Sequence, residues 1–93
     1  MELGGKVILI TGGTAGLGSA LARRCAEEGA AVSICGRGGE AVERTTEEVR
    51  QAGGACLGVV ADVTDPVVVE RWLWLTRSVF GPVDGFINNA SVL

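Results

Sequence analysis

Four glycines fall within seven residues in Gly12-Gly13-Thr14-Ala15-Gly16-Leu17-Gly18, directly after the run Val7-Ile8-Leu9-Ile10-Thr11. Glycines at this density let main-chain N–H groups approach a ligand with no Cβ in between, and the guest that suits such a cluster of donors is an anion. The residues that follow, Ser19 to Glu28, favour helix until Gly29 stops it. The free donors would therefore sit at a helix N-terminus, where the dipole adds partial positive charge and a pyrophosphate is the natural guest. The spacing is Thr-Gly-x-x-x-Gly-x-Gly, at Thr11, Gly12, Gly16 and Gly18. It differs from the G-x-G-x-x-G dinucleotide fingerprint but would act by the same mechanism.

Three more polar clusters bear on a nucleotide. Arg37 stands about 20 residues past the motif, where a carboxylate would accept from a ribose 2′-OH. With Gly36-Arg37 there and no acid before Glu40, a guanidinium fork can grip a 2′-phosphate, which favours NADP over NAD. Asp62-Val63 suits an adenine, the carboxylate accepting from the exocyclic amine and the Val63 backbone supporting the ring; an Asx-type turn ahead of a helix explains the Asp equally well. Asn88 and Asn89 can bridge strand ends and touch a ribose, or serve as turn residues.

These clusters need elements to hold them. Val7–Ile10, Ala30–Cys35, Ala55–Ala61 and Val83–Ala90 read as strands, the first with the unbroken apolar run of a strand buried on both faces. Between them, Ser19–Glu28, Glu40–Ala52 and Pro66–Phe80 read as helices. Ala41, Val42, Thr45, Val49 and Ala52 share one face of the second; Val69, Leu73, Thr76 and Phe80 share one side of the third. Asp65 is its N-cap, with Pro66 at the first helical position. Trp72 and Trp74 are two apart and cannot share a face, so at least one covers a neighbouring element or subunit contact. The alternation βαβαβαβ with short, right-handed crossovers implies an α/β fold: a doubly wound parallel sheet of strand order 3-2-1-4, truncated after the fourth strand. All four polar clusters then fall at strand C-terminal ends, around the point where the strand order reverses.

The 93 residues are 47% hydrophobic with a net charge of −3, which favours a packed core and argues against binding nucleic acid or an anionic membrane. The start, Met1 to Lys6, is too polar for a signal peptide, and no apolar run approaches the ~18 residues of a membrane span. A cytoplasmic protein is expected. The three cysteines, Cys25, Cys35 and Cys56, are set in helix or strand patterns and read as reduced core residues; no metal site is expected. Histidine and tyrosine are absent.

Taken in order, Gly5-Lys6-Val7, Thr11 to Gly18, Gly36-Arg37, Asp62-Val63 and Asn88-Asn89-Ala90 make the chain resemble the N-terminal half of the classical short-chain dehydrogenase/reductase family. The resemblance implies a Rossmann-type fold and nicotinamide-dependent oxidation or reduction of a small alcohol or carbonyl substrate, by an enzyme that is a homo-oligomer when complete. It implies that Gly12, Thr14, Ala15, Gly16, Leu17 and Gly18 line the pyrophosphate, that Asp62 and Val63 meet adenine, and that Asn88 with Ala90 lies by the ribose. Ser91 stands where the family pattern has glycine. The family's catalytic Ser, Tyr and Lys would fall beyond residue 93, so residues 1–93 are expected to form the dinucleotide-binding part of one domain, with no catalytic residue and no activity alone. Such a chain would leave its fourth strand as an uncovered edge carrying Phe86 and Ile87, a route to association. The alternative is a non-catalytic nucleotide-binding module that docks on a related subunit by that edge. A P-loop protein fits worse, since the motif lacks a Gly-Lys-Ser/Thr ending.

Overall fold

In the computed structural model, which describes residues 2–14 and 16–89, the elements alternate from end to end. They are β1 (Val7–Thr11), α1 (Gly16–Glu27), β2 (Ala31–Gly36), α2 (Gly39–Gln51), β3 (Ala55–Val60), α3 (Pro66–Phe80) and β4 (Gly85–Asn88). All strand pairs are parallel, in the order β3-β2-β1-β4 that the alternation implies. The register sets Thr11 opposite Cys35 on one side and Asn88 on the other, while Gly36 pairs with Val60. The C-terminal ends of all four strands therefore form one row.

Every residue of β1 is buried, and its alternating side chains feed two cores. Ile8 and Ile10 join Val32, Ile34, Ala22, Cys25, Ala26, Val49 and Cys56 on the side covered by α1 and α2. Leu9 points the other way, into a cluster with Cys35, Ala61 and Trp72 beneath α3. The tryptophans separate as their spacing requires, Trp72 1% exposed and Trp74 66%. The three cysteines are buried and unpaired. Burial pushes all three thiols up, Cys35 to about 11, so they are protonated at neutral pH.

Most boundaries differ from the sequence reading by a residue or two, and the larger differences in boundary or face have local causes. Helix α1 starts at Gly16, not Ser19, so the last two motif glycines belong to its first turn, where a low helix propensity is tolerated because those N–H groups have no intrahelical partner. Strand β4 begins at Gly85, not Val83. Asp84 donates its N–H to the Val7 carbonyl, while its Oδ2 accepts from the Val7 N–H at 2.9 Å; a side chain thus occupies the place of the next ladder partner. Ala52 is exposed at the end of α2, and Thr46 replaces it on the buried face. On α3 the buried stripe runs through Trp72 and Thr76, with Val69, Leu73 and Phe80 at its flanks.

Ser33 lies at the centre of β2 and is fully buried, so its hydroxyl must find partners. It accepts from Trp72 Nε1 at 2.7 Å and lies 2.8 Å from Thr76 Oγ1. The Thr76 proton goes to the Trp72 carbonyl, 2.8 Å away, so Ser33 donates to Thr76. The three groups satisfy one another and lock α3 onto the middle of the sheet. Ser33→Ala would strand the indole N–H in the core. The expected loss is about 1–3 kcal/mol, read from the urea denaturation midpoint; an unchanged midpoint would contradict the network.

Candidate functional site

The row of strand ends brings together the Thr11–Gly18 turn, Gly36-Arg37, Asp62-Val63 and Asn88. Thr11 is the pivot. Its hydroxyl donates to Asn88 Oδ1 at 2.8 Å, and its carbonyl accepts from the Asn89 N–H at 3.2 Å. Asn88 thus bridges the ends of β1 and β4, one of the two roles its type allows. Asn89 also directs Nδ2 toward the Gly12 carbonyl, 3.5 Å away.

Gly12 and Gly16 both have positive φ, 65° and 54°, a region where a Cβ strains the backbone. Gly18 is required for a different reason. A Cβ there would run into the Gly12 carbonyl oxygen and come within 2.8 Å of Asn89 Nδ2. Its absence lets the first turn of α1 lie directly on the end of β1. Gly16 and Leu17 are exposed at that helix start, Leu17 by 66%. Thr14 packs on the end of β2, where a Cβ on Gly36 would sit 2.7 Å from its Cγ2. Ala15 and Ala90, both expected to line the cofactor, lie outside the described residues, as does Ser91.

Arg37 is exposed just past β2, and the Gly36 carbonyl accepts from the Ala61 N–H at 2.9 Å. This bond brings the loop after β3 alongside it. Asp62 Oδ1 accepts from the Thr64 N–H at 2.9 Å and from the Thr64 hydroxyl at 2.7 Å, so Asp62 does form the Asx-type turn. These bonds, helped by the charge of Arg37, hold its carboxyl below the usual carboxylate range. Val63 packs against the Trp72 cluster. One turn later Asp65 caps α3 as expected, Oδ1 accepting from the Val67 N–H at 3.0 Å. Among the described residues no group of three or more His, Cys, Asp or Glu side chains could hold a metal.

The turn offers an anion exposed helix-start residues, and the neighbouring strand ends supply a cation, a carboxylate and an apolar side chain. A phosphate-bearing nucleotide fits that donor set. Asn89 bridges to β1 as its type allows, but its side-chain approach to the Gly12 carbonyl and the contact of Thr45, whose Oγ1 lies 3.2 Å from the Thr14 carbonyl, are not foreseen. Both act on the backbone of the turn, and no spacing rule marks such residues.

The family model for short chain dehydrogenases matches residues 6–93. The chain belongs to this family. It is 42% identical over 89 residues to levodione reductase of Leifsonia aquatica, covering 94% of this chain and 33% of that protein. It is 41% identical over 92 residues to a 2,5-dichloro-2,5-cyclohexadiene-1,4-diol dehydrogenase of Sphingobium indicum, covering 99% and 37%. Among solved structures, a short-chain dehydrogenase/reductase from Serratia marcescens superposes with a TM-score of 0.94 at 35% identity, over 99% of this chain and 38% of that one. An actinorhodin polyketide ketoreductase variant solved with NADPH gives 0.90 at 38% identity, over 94% and 33%. The chain thus spans about a third of the length of the relatives it matches. The family and the Rossmann-type sheet expected from the sequence both hold.

Asp62 gains stability from its turn only while ionised. That contribution is present above the ordinary aspartate pKa and is lost as pH falls through the lowered folded value. Thr64→Ala removes the hydroxyl donor and should move the Asp62 titration, followed by side-chain NMR, back up toward the ordinary range. An unmoved midpoint would contradict the assigned cause.

Proposed function

We propose that residues 1–93 form the cofactor-binding part of an NADP-dependent oxidoreductase acting on a carbonyl or alcohol. One observation carries this reading: the turn at β1, Arg37 at β2, Asp62-Val63 at β3 and Asn88 at β4 end in a single row. In this reading the diphosphate lies against the Gly12, Thr14, Ala15, Gly16, Leu17 and Gly18 segment, the adenine lies by Asp62 and Val63, and the ribose beside the nicotinamide lies by Asn88 and Ala90. The Asx turn leaves Asp62 Oδ2 for the adenine amine and keeps the carboxylate ionised. Arg37 and the start of α2, whose N-cap Gly38 makes no side-chain capping bond, would hold a 2′-phosphate. The ketoreductase solved with NADPH supports that choice of cofactor.

Nicotinamide, when bound, supplies or accepts the hydride. Proton transfer is a separate task, and with no tyrosine or histidine among its 93 residues this chain is proposed to bind the cofactor without turning over substrate. Reduced, buried cysteines agree with a cytoplasmic location, and a homo-oligomeric complete enzyme completes the proposal. No helix among the described residues is long and apolar enough to cross a membrane.

Cofactor preference provides the test. Arg37→Asp exchanges a charge-assisted grip for repulsion, and the NADP+ to NAD+ affinity ratio of the 93-residue chain should fall about ten- to hundredfold. An unchanged ratio in calorimetric titrations would remove the 2′-phosphate assignment.

A further inference from the structure

The glycine-rich turn is tied to α2 by a residue outside the motif. Thr45 is 1% exposed and donates its hydroxyl proton to the Thr14 carbonyl at 3.2 Å. The adjacent Thr46 shows the ordinary arrangement for a helix hydroxyl, donating to the Val42 carbonyl four residues back at 2.7 Å. Thr45 instead sends its proton out of its own helix and into the turn.

Carbonyl oxygens in an anion-binding turn are a hazard, because each one that faces the ligand puts partial negative charge against it. Gly12 and Thr14 carry two such oxygens at the proposed diphosphate site. The Gly12 oxygen is turned inward, against Gly18 and toward Asn89 Nδ2. The Thr14 oxygen is held by Thr45, while the Thr14 side chain is seated on Gly36. Thr14 is therefore fixed from α2 and from β2 at once.

We propose that Thr45 is a positioning residue of the diphosphate cradle, holding the Thr14 carbonyl away from the ligand so that this oxygen does not oppose the diphosphate. The proposal rests on the dinucleotide reading above. It predicts a selective effect: loss of the hydroxyl should weaken ligands that carry a diphosphate and spare one that reaches only the Arg37 end.

The test titrates the 93-residue chain with NADP+ and, separately, with adenosine 2′-monophosphate, which has no diphosphate. Thr45→Val keeps the shape and removes the donor; NADP+ affinity should fall about two- to tenfold, with adenosine 2′-monophosphate affinity unchanged. Thr45→Ser restores the hydroxyl and should recover NADP+ affinity. If the valine variant does not fold, Thr45→Ala should show the same selective loss. Equal losses for both ligands, or wild-type NADP+ affinity in the folded variant, would overturn the positioning role alone. Failure of the wild-type chain to bind either ligand would overturn the dinucleotide reading and this role with it.

Discussion

Gly18 lies so close to the Gly12 carbonyl that a single methyl group would force the first helix off the end of the first strand. Much of the site depends on that contact. It sets α1 directly over the C-terminal end of a strand buried on both faces, so the helix start opens toward the row of strand ends. β1 in turn is fixed by parallel pairing on both sides, with β2 and with β4. Thr11 carries the arrangement to the far side through Asn88 and Asn89. Gly12 and Gly18 are thereby tied to the strand ends although glycine itself supplies little order.

The two layers around the sheet position the site by different means. Beneath α1 and α2 the packing is apolar, and Thr45 and the Thr14–Gly36 contact link it to the turn. Beneath α3 a small apolar cluster is joined to the Ser33–Trp72–Thr76 network. That network fixes the helix whose preceding loop holds Asp62 and Val63. The two ends of the candidate site are thus anchored independently. The relatives are about three times as long, and β4 is an edge of the four-stranded sheet among the described residues. Of its two apolar residues, Phe86 is 58% exposed while Ile87 packs on the core.

Sequence legibility followed periodicity and local chemistry. The unbroken aliphatic run of β1, the glycine spacing and the short connections are enough to derive the strand order, because right-handed crossovers leave few arrangements. The Asp65 cap and the separation of Trp72 from Trp74 follow from helix geometry alone. Residues whose partners are distant in sequence were hidden. Ser33 in a run of apolar residues gives no sign that an indole 39 residues away will satisfy it, and Thr45 looks like any threonine on a buried helix face. The start of α1 was misplaced because glycine scores poorly inside a helix, whereas in the first turn unpaired N–H groups are the rule. Asp62 is ambiguous for a sound reason: one of its oxygens makes the turn, and the proposed adenine contact needs only the other.

An amide NMR titration of the 93-residue chain with NADP+ would show whether the row of strand ends holds the nucleotide. The largest shifts should fall in Gly12 to Gly18, at Arg37 and at Asp62-Val63, with little change at the opposite end of the sheet around Lys6, Gly29 and Gly54. Shifts confined to that opposite end, or no shifts at saturating nucleotide, would contradict that placement.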